Sequence, residues 1–347
     1  MTVAVSALDP ASVDAGATAH HGDPVREQRL LTDAAGLVDR SHRTVLAVPG
    51  ADRLTWLHSL TTQHLDRLAP MTGTELLVLS PHGHVEHHAG VLDDGTTTWL
   101  DLEPGSDLLG YLQRMVFMMR VEPADVTADH ALLSLVGPET DRVLAAAGVP
   151  ALAAPDVLPV PGAKFATGSV PPRPTAVYAA AAAFGGWVRR VPGGADLLVP
   201  RASVDEVAAA LGVPRVGIWA YEALRVEGRR PRLGFETDHK TLPSEADWTA
   251  SAVHLEKGCY RGQETVARVH HLGRPPRRLV LLHLDGVTTD ELPAQGTPVH
   301  LGERAVGFVG TAVRHHELGQ VALALVKQNV AAGTVLHVGP STAQVDS

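Results

Sequence analysis

The sequence has one cysteine, Cys259, among 347 residues. No disulfide can close within the chain, and no multi-cysteine zinc or iron–sulfur site can be built from it alone. Positive charge is also short: 29 Lys and Arg stand against 38 Asp and Glu, a formal net charge of −9. That disfavours a globally basic nucleic-acid binder and leaves only a local basic patch open. No stretch approaches the ~18 uninterrupted apolar residues that a membrane span needs. Residues 1–24 contain no Lys or Arg, and Asp9 and Asp14 interrupt them before an apolar segment forms, unlike a secretory signal. Walker A, HExxH and GxSxG patterns are missing, as is a GxGxxG with the elements that should follow it. Nucleotide-driven, zincin and serine-hydrolase chemistry therefore lack support. These absences fit a cytoplasmic protein that does not enter the membrane.

What is present suits a protein of two or three domains. Hydrophobic residues make up 45%, enough for a sizeable core, and 33 Gly with 25 Pro supply turns for many short elements. Residues 1–28, rich in Ala, Ser, Thr, Asp and Gly at their start, read as a flexible tail. A strand followed by a helix is expected three times: Thr44–Val48 before Leu54, Leu57 and Leu60; Ala131–Val136 before Glu139–Ala147; and Asp196–Val199 before Val204, Val207 and Leu211. Apolar runs mark the strands and i, i+3, i+7 spacing marks the helices. Further strands are expected at Glu75–Ser80, Gly83–Leu92 and Thr97–Leu102, then a helix over Ser106–Met118. Within that helix Tyr111, Leu112, Met115, Met118 and Met119 form a packing face. Ala151–Pro174 reads as an insertion or loop. After Arg278 five short β runs with Gly turns predict a small C-terminal barrel or sandwich. The fold class is thus α+β with several domains, divided as 1–28, 29–274 (two α+β subdomains) and 275–347.

The stretch from Tyr221 to Arg278 holds most of the chemistry. Between residues 257 and 278 six basic side chains (Lys257, Arg261, Arg268, Arg274, Arg277, Arg278) accompany one acid, Glu264. Cys259 lies two residues from both Lys257 and Arg261, and nearby cations stabilise a thiolate. Gly258 and Gly262 suggest a turn that admits close approach. The same residues also suit a buried, inert Cys259 beside solvated cations. Glu227 follows Arg225 on an expected helix, with Glu222 earlier on it. A carboxylate there could accept the paired N–H donors of a pterin, or could simply be a surface charge. His82, His84, Glu86, His87 and His88 form the main histidine cluster; adjacent strand positions spread too widely for one tetrahedral ion, so no metal is expected.

Lys257-Gly-Cys-Tyr-Arg-Gly-Gln-Glu264 resembles the signature of the YgfZ family, relatives of the glycine-cleavage T protein (aminomethyltransferase). The likeness runs from about Leu30 to Val338 and includes Leu46-Ala-Val-Pro-Gly-Ala-Asp52 and Leu224-Arg-Val-Glu227. It implies a T-protein-like folate-binding α+β body with a small C-terminal β-barrel, tetrahydrofolate as cofactor, and a role in the assembly or repair of iron–sulfur proteins, including those that modify tRNA. Cys259 matches the family cysteine, with Lys257 beside it as a second catalytic candidate. Glu227 matches the pterin-holding glutamate. Arg225, Gly258, Tyr260, Arg261, Gly262, Gln263 and Glu264 complete the implied cofactor-binding set. Folate, iron–sulfur client proteins and a weak tRNA contact are the implied partners. One departure stands out: aminomethyltransferases carry an Asp-Asp pair where this sequence has His87-His88, which puts true aminomethyl transfer in doubt. A folate-dependent aminomethyltransferase or demethylase and a tRNA-contacting module are the alternatives.

Overall fold

The computed structural model describes residues 6–8, 11–158 and 173–346. Most of the expected Ala151–Pro174 loop, residues 159–172, lies outside the described residues. All three strand–helix units form: Thr44–Pro49 with Arg53–Leu60, His130–Val136 with Thr140–Ala146, and Gly194–Pro200 with Val204–Leu211. Gly50 and Gly137 make the first two turns, at φ +128° and +131°. A Cβ there would stand 2.1 Å from the Arg120 carbonyl or 2.3 Å from that of Ala34, so only glycine fits either turn.

The strands pair into one long, mostly antiparallel sheet with two halves. The first half runs in the order Arg215–Val216, Gly36–Asp39, His130–Val136, Gly194–Pro200, Gly186–Val191 and Ala176–Ala183. The second runs Thr72–Leu79, Val85–Asp93, Thr97–Leu102, Thr44–Pro49 and Ala124–Asp125. The register pairs Tyr178–Gly73 and Ala179–Thr72 join the halves in the ladder, and Val45, Leu92, Leu132, Trp187 and Leu198 form a core shared by both. Each half buries one face under its helices, as strand alternation requires. Leu133, Leu135 and Leu197 pack on Val143 and Val207, and Leu46, Leu76 and Leu100 pack on Trp56 and Leu57.

Six antiparallel strands close the C-terminal barrel: Arg277–Leu284, Gly319–Lys327, Arg304–His315, Pro298–Leu301, Val335–Val338 and Ser341–Val345. The last of these was not anticipated, because Ser341-Thr-Ala-Gln-Val345 is small and polar and buries only alternate residues. The barrel sits on the helix Ile218–Glu227, whose Ala223 and Val226 pack on Leu279, Leu281 and Leu323. No helix among the described residues is long and apolar enough to cross a membrane.

Two expectations are corrected. The segment read as a flexible tail holds the strand Thr18–His20 and the helix Pro24–Asp33, capped by the Asp23 side chain on the Val25 and Arg26 amides. It also buries Asp14 against Arg232, so it belongs to the folded body. The helix expected over Ser106–Met118 spans only Leu108–Arg114. Phe117 turns left-handed at φ +42°, which ends the helical spacing and leaves Met118 96% exposed instead of packed.

Candidate functional site

Where the two half-sheets meet the helix Ile218–Glu227, they enclose a cavity of about 420 Å³. Strand alternation sends Glu75, His88, Asp101, Tyr178 and Arg189 into it from five strands. The turn between Gly36–Asp39 and Thr44–Pro49 adds Arg40, His42 and Arg43; the helix adds Glu222 and Arg225. Seven arginines and seven carboxylates line the space, so its charge is close to balanced and the pairing pattern matters more than the sum.

Arg232 is the hub of one network. Its guanidinium donates to Asp14 at 2.6 and 2.9 Å and to Glu103 at 2.7 and 3.1 Å, and lies 3.3 Å from Glu222. Burial pushes the Glu103 carboxyl up, but Arg43 and Arg232 outweigh it and hold the group at about 2. Burial likewise opposes Glu222, which Arg225 and Arg232 keep below its ordinary value. Arg189 forms a second hub, donating to Asp101 at 2.8 Å and Asp196 at 2.9 Å. Buried charges of this kind persist only when fully paired.

Glu75 differs from these acids. It accepts hydrogen bonds from the Tyr178 hydroxyl at 2.5 Å, the Ser251 hydroxyl at 2.9 Å and His88 Nε2 at 3.1 Å. Burial raises its carboxyl, yet His88, Tyr178 and Ser251 together bring it to about 2. The His88 imidazole stacks on the Trp248 indole, 4.7 Å between centroids and 23° between planes. Asp247 also lines the cavity, with a left-handed φ of +57°, and carries no hydrogen bond among the described residues.

The expected site residues are not gathered here. Arg225 does line the cavity, held by Glu222 and Glu236. Glu227 does not: its side chain is 48% exposed and lies 3.4 Å from His315. The helix turns about 100° per residue, so residue 227 sits about 200° round from residue 225 and faces away from Arg225's side. Glu222, three residues before Arg225, shares its face. None of residues 257–264 lines the cavity either.

Those eight residues form a separate surface element. Lys257 Nζ donates to the carbonyls of His58, Thr61 (2.6 Å) and Gln63 (3.1 Å), tying down the chain end of the helix Arg53–Leu60. Burial pushes its amine down to about 7. Tyr260 is buried with Leu77, Leu79 and Trp248. Arg261 pairs with Glu86 at 3.2 Å, and the Gln263 amide donates to the Lys257 carbonyl at 3.2 Å. Gly262, at φ +82°, lies against the Ser80–Gly83 turn, where a Cβ would stand 2.6 Å from the Ser80 carbonyl. Gly258 has open space beside it, so the close approach expected there is absent. Cys259 and Glu264 are exposed. The cations that were to sharpen the thiol are engaged elsewhere. The basic run is likewise reduced: Arg277 pairs with Asp238 and Glu245, and Arg278 donates to the Val330 carbonyl.

The histidine cluster also separates. His88 enters the cavity, whereas His87 is buried on the other face near Ser106 and Tyr111. A different group, His58, His64 and Asp66, brings possible ligand atoms within 4.8 Å of one another. The Leu65 amide already donates to His58 Nδ1 at 3.1 Å. Burial, with Lys257 adding repulsion, takes His58 down to about 4. A cation that opposes an imidazolium would oppose a metal ion as well.

No family model matches the chain. Along its whole length it superposes on 93% of the glycine cleavage system aminomethyltransferase T from Bartonella henselae, with a TM-score of 0.75 and 19% identity. The fold is that of the aminomethyltransferases. Sequence relatives carry the same name: the aminomethyltransferase of Symbiobacterium thermophilum is 28% identical over 332 residues, 90% of this chain and 84% of that protein. That of Moorella thermoacetica is 28% identical over 90% of this chain and 82% of its own length. The putative chloroplastic transferase At1g60990 of Arabidopsis thaliana is 27% identical over 254 residues, 72% of this chain and 56% of that longer protein. Within the aminomethyltransferase fold, the wall residues missed in the sequence are Asp14, Glu75, Glu103, Tyr178, Arg189, Trp248 and Ser251. They come from six separate segments, Trp248 and Ser251 sharing one, and only folding joins them. The one available signal was the Arg232–Glu236 run, which supplies the hub arginine.

Proposed function

We propose that this protein binds a reduced folate in the central cavity and serves iron–sulfur proteins as an accessory factor, with the exposed Cys259 as its point of contact. The observation that carries the reading is the cavity itself: a polar, charge-paired chamber lined also by Tyr178, Tyr221 and Trp248, inside an aminomethyltransferase fold. A planar heterocycle with several N–H donors needs an apolar face and a free acceptor. The aromatic residues Tyr178, Tyr221 and Trp248 line the space, the last with one face already covered by His88. Asp247 offers the acceptor, since the other wall carboxylates already hold hydrogen bonds. Asp247 thus takes the role first expected of Glu227. The YgfZ-like motif supports the accessory role, and Cys259 is accessible to a partner, which would have to bring the remaining ligands of any shared cluster.

Calorimetric titration with tetrahydrofolate tests this. Asp247→Ala is expected to weaken binding about tenfold, the scale of one charge-assisted hydrogen bond. Wild-type protein that shows no binding of tetrahydrofolate removes the reading. A folate-dependent aminomethyl transferase is the second reading, favoured by the hydrogen-bonded His88–Glu75 pair in the wall and by the names of the relatives. Turnover of methylene-tetrahydrofolate with an amine donor separates it from the first.

A further inference from the structure

Five wall carboxylates, Asp14, Asp101, Glu103, Asp196 and Glu222, are each paired with an arginine, a cation that never gives up its proton. Asp14 shares its arginine with His42, 3.1 Å away, whereas Glu75 has a histidine and no arginine as its ionic partner. An imidazole, unlike a guanidinium, can both accept and donate a proton through its two ring nitrogens. The geometry of His88 is fixed on two sides. Glu75 sits opposite Gly90 in the strand register, and His88, two residues from Gly90, lies on the same face of that strand. The Trp248 ring fixes the imidazole plane. The bond to Glu75 assigns the hydrogen to Nε2, which leaves Nδ1 as the acceptor. Nδ1 has no hydrogen-bond partner among the described residues, and the side chain borders the cavity. The other titratable groups around that part of the wall are Tyr178, Asp101, Arg189 and Asp247. Tyr178 is committed to Glu75, and Asp101 and Arg189 to each other.

We propose that His88 is the proton acceptor of the cavity and Glu75 its positioning residue, acting on a ligand nitrogen that arrives as an ammonium. In the step, the ligand N–H bond breaks and its electron pair stays on the nitrogen. The proton joins Nδ1, and the resulting imidazolium is balanced by the Glu75 carboxylate. A nitrogen freed in this way is a nucleophile, so the pair would prepare a bound ligand for one-carbon chemistry. The choice of ligand rests on the folate reading above; the assignment of His88 does not.

Two measurements on the full-length protein test it. Nitrogen-15 NMR of the histidines should show His88 as the Nε2–H tautomer at neutral pH, with Nδ1 protonating at lower pH in Glu75→Gln than in wild type. An Nδ1–H tautomer, or an unchanged titration in Glu75→Gln, overturns the proposal. Calorimetry with tetrahydrofolate in buffers of differing ionisation enthalpy should detect proton transfer on binding that His88→Asn abolishes, with affinity about tenfold lower. Unchanged affinity and proton count in His88→Asn overturn the proposal while leaving the folate reading intact. Absence of binding by wild type overturns the folate reading, and the NMR result then decides His88 alone. His88→Gln replaces His88→Asn if the latter fails to fold by circular dichroism.

Discussion

The cavity wall and the Lys257–Glu264 segment make opposite use of charge. In the wall, arginines and carboxylates from distant parts of the chain are buried together and satisfied by one another. In the segment, neighbouring charges diverge: Lys257 turns inward to three carbonyls and Arg261 outward to Glu86, leaving Cys259 open. A dense local signature therefore marks a packing element with an exposed thiol, while the chamber is assembled from scattered residues.

The largest test of that contrast is Arg232→Ala. It strips a buried cation from Asp14, Glu103 and Glu222, and denaturant unfolding is expected to show a loss of about 3–5 kcal/mol. Acid should act on the same wall. Glu75 and Glu103 are held at about 2 against an ordinary 4.5, so their stabilisation is complete above 4.5 and is lost as pH falls toward 2. His58 behaves differently: depressed to about 4 from 6.5, it lets the unfolded chain take up a proton first, so stability declines as pH falls from 6.5 to 4. Melting temperature measured across pH should show both declines. Lys257→Met comes next, leaving three buried carbonyls without their donor at a cost of about 2–3 kcal/mol. Tetrahydrofolate affinity should not change, since Lys257 lies outside the cavity. Glu227→Ala should do least: a change within about 0.5 kcal/mol in stability, and calorimetry indistinguishable from wild type. Loss of tetrahydrofolate binding in Glu227→Ala would restore the assignment made from the family resemblance.

The fold was legible wherever periodicity is local. The three strand–helix units and five of the barrel strands could be read from apolar runs and glycine turns, because one face of each packs on its immediate neighbour. The strand Ser341–Val345 escaped because its polar residues hide the alternation, and the N-terminal segment because its anchor, Asp14, pairs with a residue 218 positions away. The site was less legible for the same reason. Glu227 is assigned through its match to the pterin-holding glutamate of the resembling family, whereas the helix puts Glu222, not Glu227, on the cavity side with Arg225. His88 was seen as one of a row of histidines. Its partner Glu75 becomes visible only through the pairing of two strands, and Trp248 only through the packing of a later segment.

The seam between the half-sheets is two residue pairs wide, and Tyr178, which forms part of it, also donates its hydroxyl to Glu75. Beyond that seam, a shared core of Val45, Leu92, Leu132, Trp187 and Leu198 and the Arg189–Asp101 pair hold the two leaves together. Any molecule seated against Glu75 would rivet one leaf to the other, and amide exchange along residues 72–73 and 178–179 would slow as the chamber fills.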